Sequence, residues 1–218
     1  MADKKASPLR IVASAQLPTV WGTFRMYGFE AERQNAPART ETAVALIMGN
    51  LGEIPVPPLA RIHSECLTGD VFGSCRCDCG DQLRLSMSMI AEEKRGIVIY
   101  EQQEGRGIGL MWKMRAYELQ DLGLDTIEAN EKLGFKADYR TFDLPARILA
   151  SFGVKAVRLL SNSPDKIRAM KNHGITVVDR ISCEASTVST YARNYLAVKK
   201  NKLGHMLTLR SEESCFPE

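Results

Sequence analysis

Cysteines are concentrated in one short part of this chain, where Cys66 is followed by Cys75, Cys77 and Cys79. Thiolates this close together, in a chain whose first residues form no apolar signal segment, indicate a metal ion rather than a disulfide. No second Cys-x-x-Cys or His-x3-His pair follows to complete a closed four-ligand zinc site. The spacing therefore favours an open zinc site with three protein ligands, in which the pKa of a bound water falls to about 7.

The spacing alone does not decide which cysteines bind the metal ion. Cys75 could replace Cys77 or add a fourth ligand, which would make the site closed and structural. We expect the open site, because a strand-like Cys-x-Cys-x-Cys segment would point three thiols to one side and crowd the ion. His63 is another candidate ligand, although a lone histidine is more often a hydrogen-bonded structural residue. Cys183 and Cys215 are isolated and are assigned no function.

Two polar segments lie between predicted strands and helices, where backbone amides and the helix dipole favour a phosphate. Residues 104–109 read Glu-Gly-Arg-Gly-Ile-Gly, and Arg106 could add a charged contact. This spacing matches neither the dinucleotide fingerprint nor the P-loop, so the glycines could equally serve only the turn. Residues 161–166 repeat the placement with Lys166 one turn into the helix, although an N-cap followed by proline explains most of that pattern.

Asp138 and Arg140 form a further charged pair, separated by one residue. The preceding segment, residues 132–137, has few apolar side chains. On composition alone, the simplest interpretation is a surface ion pair.

Composition limits the classes of protein that this chain can belong to. Its 218 residues, 44% of them hydrophobic, are enough to bury a core. The net charge of +3 and the pI of about 8.5 are too mild for a duplex binder, so we expect no nucleic-acid partner. No run of about 18 apolar residues could span a membrane, and we expect a cytoplasmic protein without membrane contact.

Periodicity predicts the elements that must position these residues. Strands are predicted at residues 9–13, 22–28, 43–48, 61–66, 96–100, 156–160 and 175–178, and helices at 82–93, 108–122, 145–152 and 164–172. A proline-containing turn is expected between the first two strands, and a loop over residues 34–42. The alternation of strands and helices predicts a mixed α/β (α+β) core.

Taken together, the motifs closely resemble the GTP cyclohydrolase II family. The matching segments are residues 17–22, 61–70, 76–80, 103–109, 115–117, 125–130, 133–135, 138–140 and 204–207. The resemblance implies that family's fold, a mixed sheet flanked by helices, in one domain over residues 1–209. The composition of residues 210–218 indicates a flexible tail. It also implies a homodimer that acts on GTP in riboflavin biosynthesis. Too few residues precede Arg61 for a second catalytic domain, so we expect the monofunctional form.

The resemblance also implies roles for individual residues. The zinc ligands would be Cys66, Cys77 and Cys79, with one zinc ion per chain. Asp138 would be the general base, Arg140 the proposed nucleophile toward the α-phosphate, and Tyr117 a catalytic residue near the purine. GTP contacts are implied for Arg61, Ile62, His63, Ser64, Glu65, Gln82, Glu104, Gly105, Arg106, Thr126, Ser161 and Lys166.

The implied chemistry has two parts. Water activated by zinc would open the guanine ring at C8 and then release that carbon as formate. Separately, Arg106, Lys166 and a Mg²⁺ ion would hold the phosphates while diphosphate leaves. A guanidinium is almost always protonated, so Arg140 could either bond to phosphorus or only stabilise charge.

Three positions depart from the family pattern. Gln102 follows Glu101 where an arginine is frequent, which could remove one positive charge near the phosphates, and Trp112 and Tyr139 replace smaller or aliphatic residues. One alternative function is a homologue that stops at the formylated ring-opened pyrimidine. A structural zinc module that binds nucleic acid is a remote alternative, which the modest charge disfavours.

Overall fold

The computed structural model describes residues 8–33, 36–52, 55–185 and 189–208. Its strands are β1 (Leu9–Thr19), β2 (Gly22–Arg33), β3 (Ala36–Met48), β4 (Leu59–Ser64), β5 (Gly96–Glu101), β6 (Ala156–Leu160) and β7 (Thr176–Ile181). Its helices are α1 (Leu67–Asp70), α2 (Cys79–Glu93), α3 (Leu110–Asp121), α4 (Thr126–Lys132), α5 (Asp143–Ser151), α6 (Pro164–Asn172) and α7 (Thr190–Leu203). A 3-10 turn, Glu104–Gly107, lies between β5 and α3.

These strands form one sheet in the order β1-β2-β3-β5-β4-β6-β7. The pairs β1–β2, β2–β3 and β3–β5 are antiparallel. The pairs β5–β4, β4–β6 and β6–β7 are parallel. The predicted mixed α/β fold is therefore confirmed.

Helices cover both faces of the parallel part of the sheet. Ile97 and Ile99 of β5 are fully buried in the core that includes α5 and α6 residues such as Ile148 and Met170. Val98, between them, belongs to a second core with residues of α2. This alternation follows from the two-residue period of a strand, and it explains why β5 is apolar without interruption.

The first hairpin extends further than predicted. β1 continues through Pro18, which pairs with Thr23, so the predicted proline-containing turn is wrong and residues 20–21 form the turn instead. Proline is compatible with this position because β1 is an edge strand of the sheet.

The loop predicted over residues 34–42 is also wrong, because β3 begins at Ala36. Glu41 pairs with Ala31, and Thr42 pairs with Glu30 of β2. The polar composition suggested a loop, but polar side chains are compatible with a strand of which one face meets water. Residues 34 and 35 lie outside the described residues, as do the predicted tail and its boundary at 209.

Other boundaries are close to the prediction, and those of β6 and α6 agree with it. Besides the four-residue α1, the helices α4 and α7 were not predicted. α4 begins with a capping box, in which Asp125 and Glu128 each accept a hydrogen bond from the other's backbone amide. α7 begins at the N-cap Ser189 and ends at Gly204 in the left-handed conformation.

Within the described residues, every helix is either too short or too polar to cross a membrane.

Candidate active site

The candidate active site is a cavity at the carboxyl ends of β4, β5 and β6. In parallel sheets the loops that follow these ends meet at one edge and carry ligand sites. Here those loops are residues 65–66, 102–109 and 161–163. Side chains of α3, α4 and α7 complete the wall of the cavity.

Most residues predicted for the site line this cavity. They are Arg61, His63, Ser64, Glu65, Cys66, Cys77, Cys79, Gln82, Glu104, Gly105, Arg106, Tyr117, Thr126, Arg140, Ser161 and Lys166. The side chain of Ile62 lies instead in the hydrophobic core, although its carbonyl oxygen accepts a hydrogen bond of 2.8 Å from Lys166. Asp138 is not part of the lining but contacts Arg140.

Three of the four clustered cysteines come together. The sulfur atoms of Cys66, Cys77 and Cys79 all lie within 4.8 Å of one another, and those of Cys66 and Cys77 are 3.7 Å apart. Gly69 leaves the space that they occupy, because a Cβ atom at this position would lie 2.9 Å from the Cys77 sulfur. The three sulfurs match the donor set of an open zinc site.

The three thiols do not ionise together on their own. Hydrogen bonds with Cys77 and Cys79 lower the pKa of Cys66, whereas the hydrogen bond with Cys66 raises the pKa of Cys77 to about 12. Hydrogen bonds with Cys66 and Cys77, together with burial, raise the pKa of Cys79. A divalent cation removes this conflict, since it stabilises all three thiolates at once. The residues present therefore fit a zinc ion.

The cysteine segment is not extended as a strand would be. Residues 71–78 form turns, and Cys79 is the first residue of α2. Gly73 adopts a left-handed conformation in this segment, which breaks any extended geometry. Cys75 is not part of the sulfur cluster formed by Cys66, Cys77 and Cys79.

His63 has a structural environment rather than that of a metal ligand. Its Nε2 atom lies 3.1 Å from both carboxylate oxygens of Asp70, and its ring stacks on Tyr100. Burial lowers the pKa of His63, although the hydrogen bond with Asp70 opposes this shift. Asp70 also accepts hydrogen bonds from the Cys66 amide and the Tyr100 hydroxyl, so it connects β4, β5 and the first zinc-ligand candidate.

Lys113 of α3 was not predicted but lies at the centre of the thiol side. Its ammonium lies 3.2 Å from the Cys66 sulfur, 2.8 Å from Oε1 of Glu104 and 2.9 Å from the Thr68 hydroxyl. Oε2 of Glu104 accepts a hydrogen bond from the Leu67 amide. A signal was available in the sequence, because Lys113 lies four residues before Tyr117 and therefore on the same helix face.

Tyr117 faces the same thiols. Its hydroxyl lies 3.2 Å from the Thr68 hydroxyl, and the guanidinium of Arg76 lies 4.8 Å from its ring centre. Burial raises the pKa of Tyr117 to about 12, so the phenol keeps its proton at neutral pH. It can therefore both donate and accept a hydrogen bond.

Asp138 and Arg140 form a largely buried pair, so the expectation of a surface ion pair is wrong. Their side chains are 22% and 15% exposed, and Nη2 of Arg140 lies 2.6 Å from Oδ2 of Asp138. Burial raises the pKa of Asp138, but the hydrogen bonds and charge of Arg140 outweigh it and lower that pKa overall. Nη1 of Arg140 lies 3.4 Å from the hydroxyl of Ser64, at the end of β4.

Three further basic side chains, Arg61, Arg106 and Lys166, line the cavity and are called the cation wall below. Arg61 donates hydrogen bonds to the carbonyl oxygen of Leu160 and to Oε1 of Gln82. Arg106 is 8% exposed, and no described residue bonds to its Nη1 and Nη2 atoms. Burial lowers the pKa of Lys166, and the nearby charges of Arg61 and Arg140 add to that shift. A polyanion placed here would satisfy donors and charges that the protein leaves without a counterion.

The three positions that depart from the family pattern lie outside the cavity lining. Gln102 accepts a hydrogen bond from the Thr42 hydroxyl on β3. Trp112, Phe135 and Tyr139 pack edge to face in an aromatic cluster. The expected loss of a charge near the phosphates stays a prediction.

The fold and the site describe an α/β enzyme in which a thiol cluster suited to a metal ion faces a cavity lined with cations. Residues 10–182 match the family described as GTP cyclohydrolase II. The chain is 51% identical over 201 residues to a GTP cyclohydrolase-2 of Tolumonas auensis, with 92% of this chain and 98% of the relative covered. It is 48% identical over 205 residues to a GTP cyclohydrolase-2 of Haemophilus influenzae, with 94% and 92% covered.

The chain belongs to the GTP cyclohydrolase II family, whose members are hydrolases that act on GTP. The resemblance inferred from the motifs is therefore confirmed. A solved two-domain 3,4-dihydroxy-2-butanone 4-phosphate synthase from A. baumannii is also similar, with a TM-score of 0.45 and 17% identity over 84% of this chain and 41% of that chain.

Proposed function

We propose that this chain catalyses the zinc-dependent hydrolysis of GTP to a diaminopyrimidinone ribosylamine 5′-phosphate, formate and diphosphate, the first step of riboflavin biosynthesis. The main support is the placement of three thiols and several cations on one cavity, in a chain of this family. Opening a purine ring and releasing diphosphate need these two kinds of group.

Cys66, Cys77 and Cys79 would hold the zinc ion. When bound, the ion supplies a Lewis acid that brings the pKa of a coordinated water to about 7, so that a nucleophile exists at neutral pH. Lys113 holds Cys66 and Glu104 in fixed positions through its hydrogen bonds, and its charge offsets part of the thiolate charge.

Tyr117 is the residue proposed to act on the base. Its protonated hydroxyl, bonded to Thr68, is available to orient the ring-opened pyrimidine for the second hydrolysis that releases formate. Glu65, Gln82 and Thr126 also line the cavity and are proposed substrate contacts.

Arg140 is proposed to contact the α-phosphate, and Asp138 to act as general base. The buried pairing with Asp138 fixes the guanidinium in one orientation, which suits a charge that must meet a phosphate group. Arg61, Arg106 and Lys166, together with a Mg²⁺ ion on the substrate, would offset the charge of the remaining phosphates.

Three further expectations stay part of this proposal. They are one zinc ion per chain, assembly as a homodimer, and a cytoplasmic location. Light scattering at micromolar concentration should give twice the chain mass of 24.2 kDa. A monomer that turns over GTP would contradict the dimer without affecting the chemistry.

Incubation of the zinc-loaded protein with GTP and Mg²⁺, followed by mass spectrometry of the products, tests the proposal. We expect the deformylated pyrimidine together with formate and diphosphate. Tyr117→Phe should still bind GTP but should release formate more slowly than the wild type. Wild-type protein that consumes GTP and accumulates the formylated pyrimidine without formate would reject the riboflavin assignment and support the homologue that stops at that stage.

A further inference from the structure

Helix α7 and the residues after it lie beyond the segment that matches the family model, which ends at residue 182. Nevertheless, Tyr195 and Lys199 of α7 and the following His205 line the same cavity as the predicted site residues. No motif in the sequence assigned a role to these three side chains. Helix α7 therefore contributes side chains to this cavity.

Contacts at both ends fix α7 against the site. At its start, the hydroxyl of Ser189 caps the helix and donates a hydrogen bond of 2.6 Å to the carbonyl oxygen of Cys75 in the cysteine segment. Near its end, Lys202 forms ion pairs with Asp125 and Glu128 at the start of α4. The orientation of α7 is therefore set by the thiol side and by α4 together.

The chain that follows α7 turns back toward the sheet. The Met206 amide donates a hydrogen bond of 2.9 Å to the carbonyl oxygen of Asn162, directly after β6. Leu207 is buried with Ala192 and Leu196 of α7. These contacts place the helix next to the loop that carries Ser161, which leads into α6 with Lys166.

Lys199 is the cation that this inner face presents. It is 8% exposed, and its ammonium lies 3.7 Å from Oδ1 of Asp78 and 4.2 Å from the ring centre of Tyr195. A separation of 3.7 Å is longer than a hydrogen bond, and no described residue bonds to Oδ1 of Asp78. An ammonium group has three donors, so Lys199 keeps the capacity to bind an oxygen-rich ligand.

The cavity that Lys199 lines has more basic than acidic side chains. The described residues that line the cavity include seven basic side chains, namely Arg61, Arg76, Arg106, Lys113, Arg140, Lys166 and Lys199, but only two acidic ones, Glu65 and Glu104. Burial lowers the pKa of His205 to about 3, and the charges of Lys199, Arg140, Lys166 and Arg106 contribute to that shift. Four cations therefore act on one point of the cavity.

We propose that Lys199 binds the phosphate groups of GTP, and that α7 is thereby a phosphate-binding element of the site alongside Arg106 and Lys166. This inference rests on the proposed function, because it takes GTP as the ligand. A triphosphate matches the clustered cations in charge and supplies only acceptors to them. The ring of Tyr195 packs against the ammonium of Lys199 and stabilises its charge in the cavity.

The test compares Lys199→Gln with Lys200→Gln, a matched control at an exposed position of the same helix. Binding of inorganic triphosphate, with equimolar Mg²⁺, and of guanosine is measured by titration calorimetry on the zinc-loaded proteins. We expect Lys199→Gln to weaken triphosphate binding about tenfold to a hundredfold, as for the loss of one charged hydrogen bond, with guanosine binding unchanged. Lys200→Gln should match the wild type, and Lys199→Arg should recover most of the affinity.

Zinc content and GTP turnover are recorded for the same proteins. Unchanged triphosphate binding in Lys199→Gln, or an equal loss for guanosine, would overturn the inference. Loss of zinc in that variant would also overturn it, because Lys199 would then hold the cysteine segment through Asp78. A wild-type protein that binds triphosphate but never turns over GTP would reject the proposed function and leave the phosphate contact itself supported.

Discussion

The two parts of the sheet have different tasks. In the antiparallel part, most residues of β1 are exposed, and no described residue before Arg61 lines the candidate site. In the parallel part, β4 and β5 are almost completely buried, and each is followed by residues of the cavity. Helices on both faces fix the parallel strands, so the loops at their carboxyl ends can hold side chains in exact relation to one another.

This difference predicts that changes at the cavity alter chemistry, whereas changes in the antiparallel part alter stability.

The largest effect is expected at the thiols. Cys66→Ser should remove the bound zinc and abolish ring opening, because two sulfurs cannot complete the site. Under reducing conditions Cys75→Ser should keep the bound zinc and the ring-opening activity. Metal analysis in which Cys75→Ser loses zinc would contradict the three-sulfur site.

Arg140 should give the next largest effect. Arg140→Ala removes the guanidinium proposed for the α-phosphate and should lower diphosphate release about a hundredfold to a thousandfold, as found when a charge-stabilising donor is deleted. Arg25→Ala serves as the control, since Arg25 lies on β2 and bonds only to Ser14 among the described contacts. Diphosphate release by Arg140→Ala at nearly the wild-type rate would show that the pair with Asp138 is only structural.

Phe29 tests the antiparallel part. This residue of β2 is 1% exposed and packs against Phe152, so Phe29→Ala should reduce the free energy of unfolding by about 3–5 kcal/mol. Activity per folded molecule should stay the same. Val12→Ala on β1, at an exposed position, should change stability by less than about 0.5 kcal/mol. Urea unfolding measures both, and a large loss of activity in folded Phe29→Ala would contradict the division of tasks.

The smallest expected effect is the pH dependence that comes from His205. Its folded pKa of about 3 lies below the ordinary value of 6.5, so the unfolded chain binds more protons between these two values. Stability from this group should therefore be present above pH 6.5 and fall as the pH drops toward 3. His205→Gln should lose less stability than the wild type between pH 7 and pH 5. Equal losses in urea unfolding would contradict the burial of an uncharged imidazole.

Local sequence signals located most of the site but not all of it. The cysteine spacing, the glycine-rich segment around Arg106 and the Ser161–Lys166 junction were visible because each is contiguous in the chain. Lys199 was missed because its partner, Asp78, lies far away in sequence and meets it only in the folded protein. Lys113 did have a local signal, its spacing of four residues from Tyr117, but its partner Cys66 is also distant in sequence. The same limit explains why α7 was not predicted as part of the site.

The ends of strands and helices were likewise predicted well only where neighbouring residues mark them. β6 and α6 were predicted to the residue because burial and a proline at the helix start mark them locally. β3 was predicted too short because residues 36–42 contain a proline and four polar residues, and only their pairing with β2 makes them a strand. The Asp138–Arg140 pair was predicted to lie on the surface, because composition cannot show that Arg140 contacts Ser64 at the end of β4 in the folded protein.

The most direct test of the account is a time course of formate and diphosphate from GTP, measured in parallel with zinc-loaded and zinc-stripped protein. We predict equal amounts of both products per GTP consumed by the loaded protein, no formate from the stripped protein, and recovery of formate when zinc is restored. Formate release that does not depend on zinc would contradict the central claim that the three thiols and the cation wall act on the same GTP molecule.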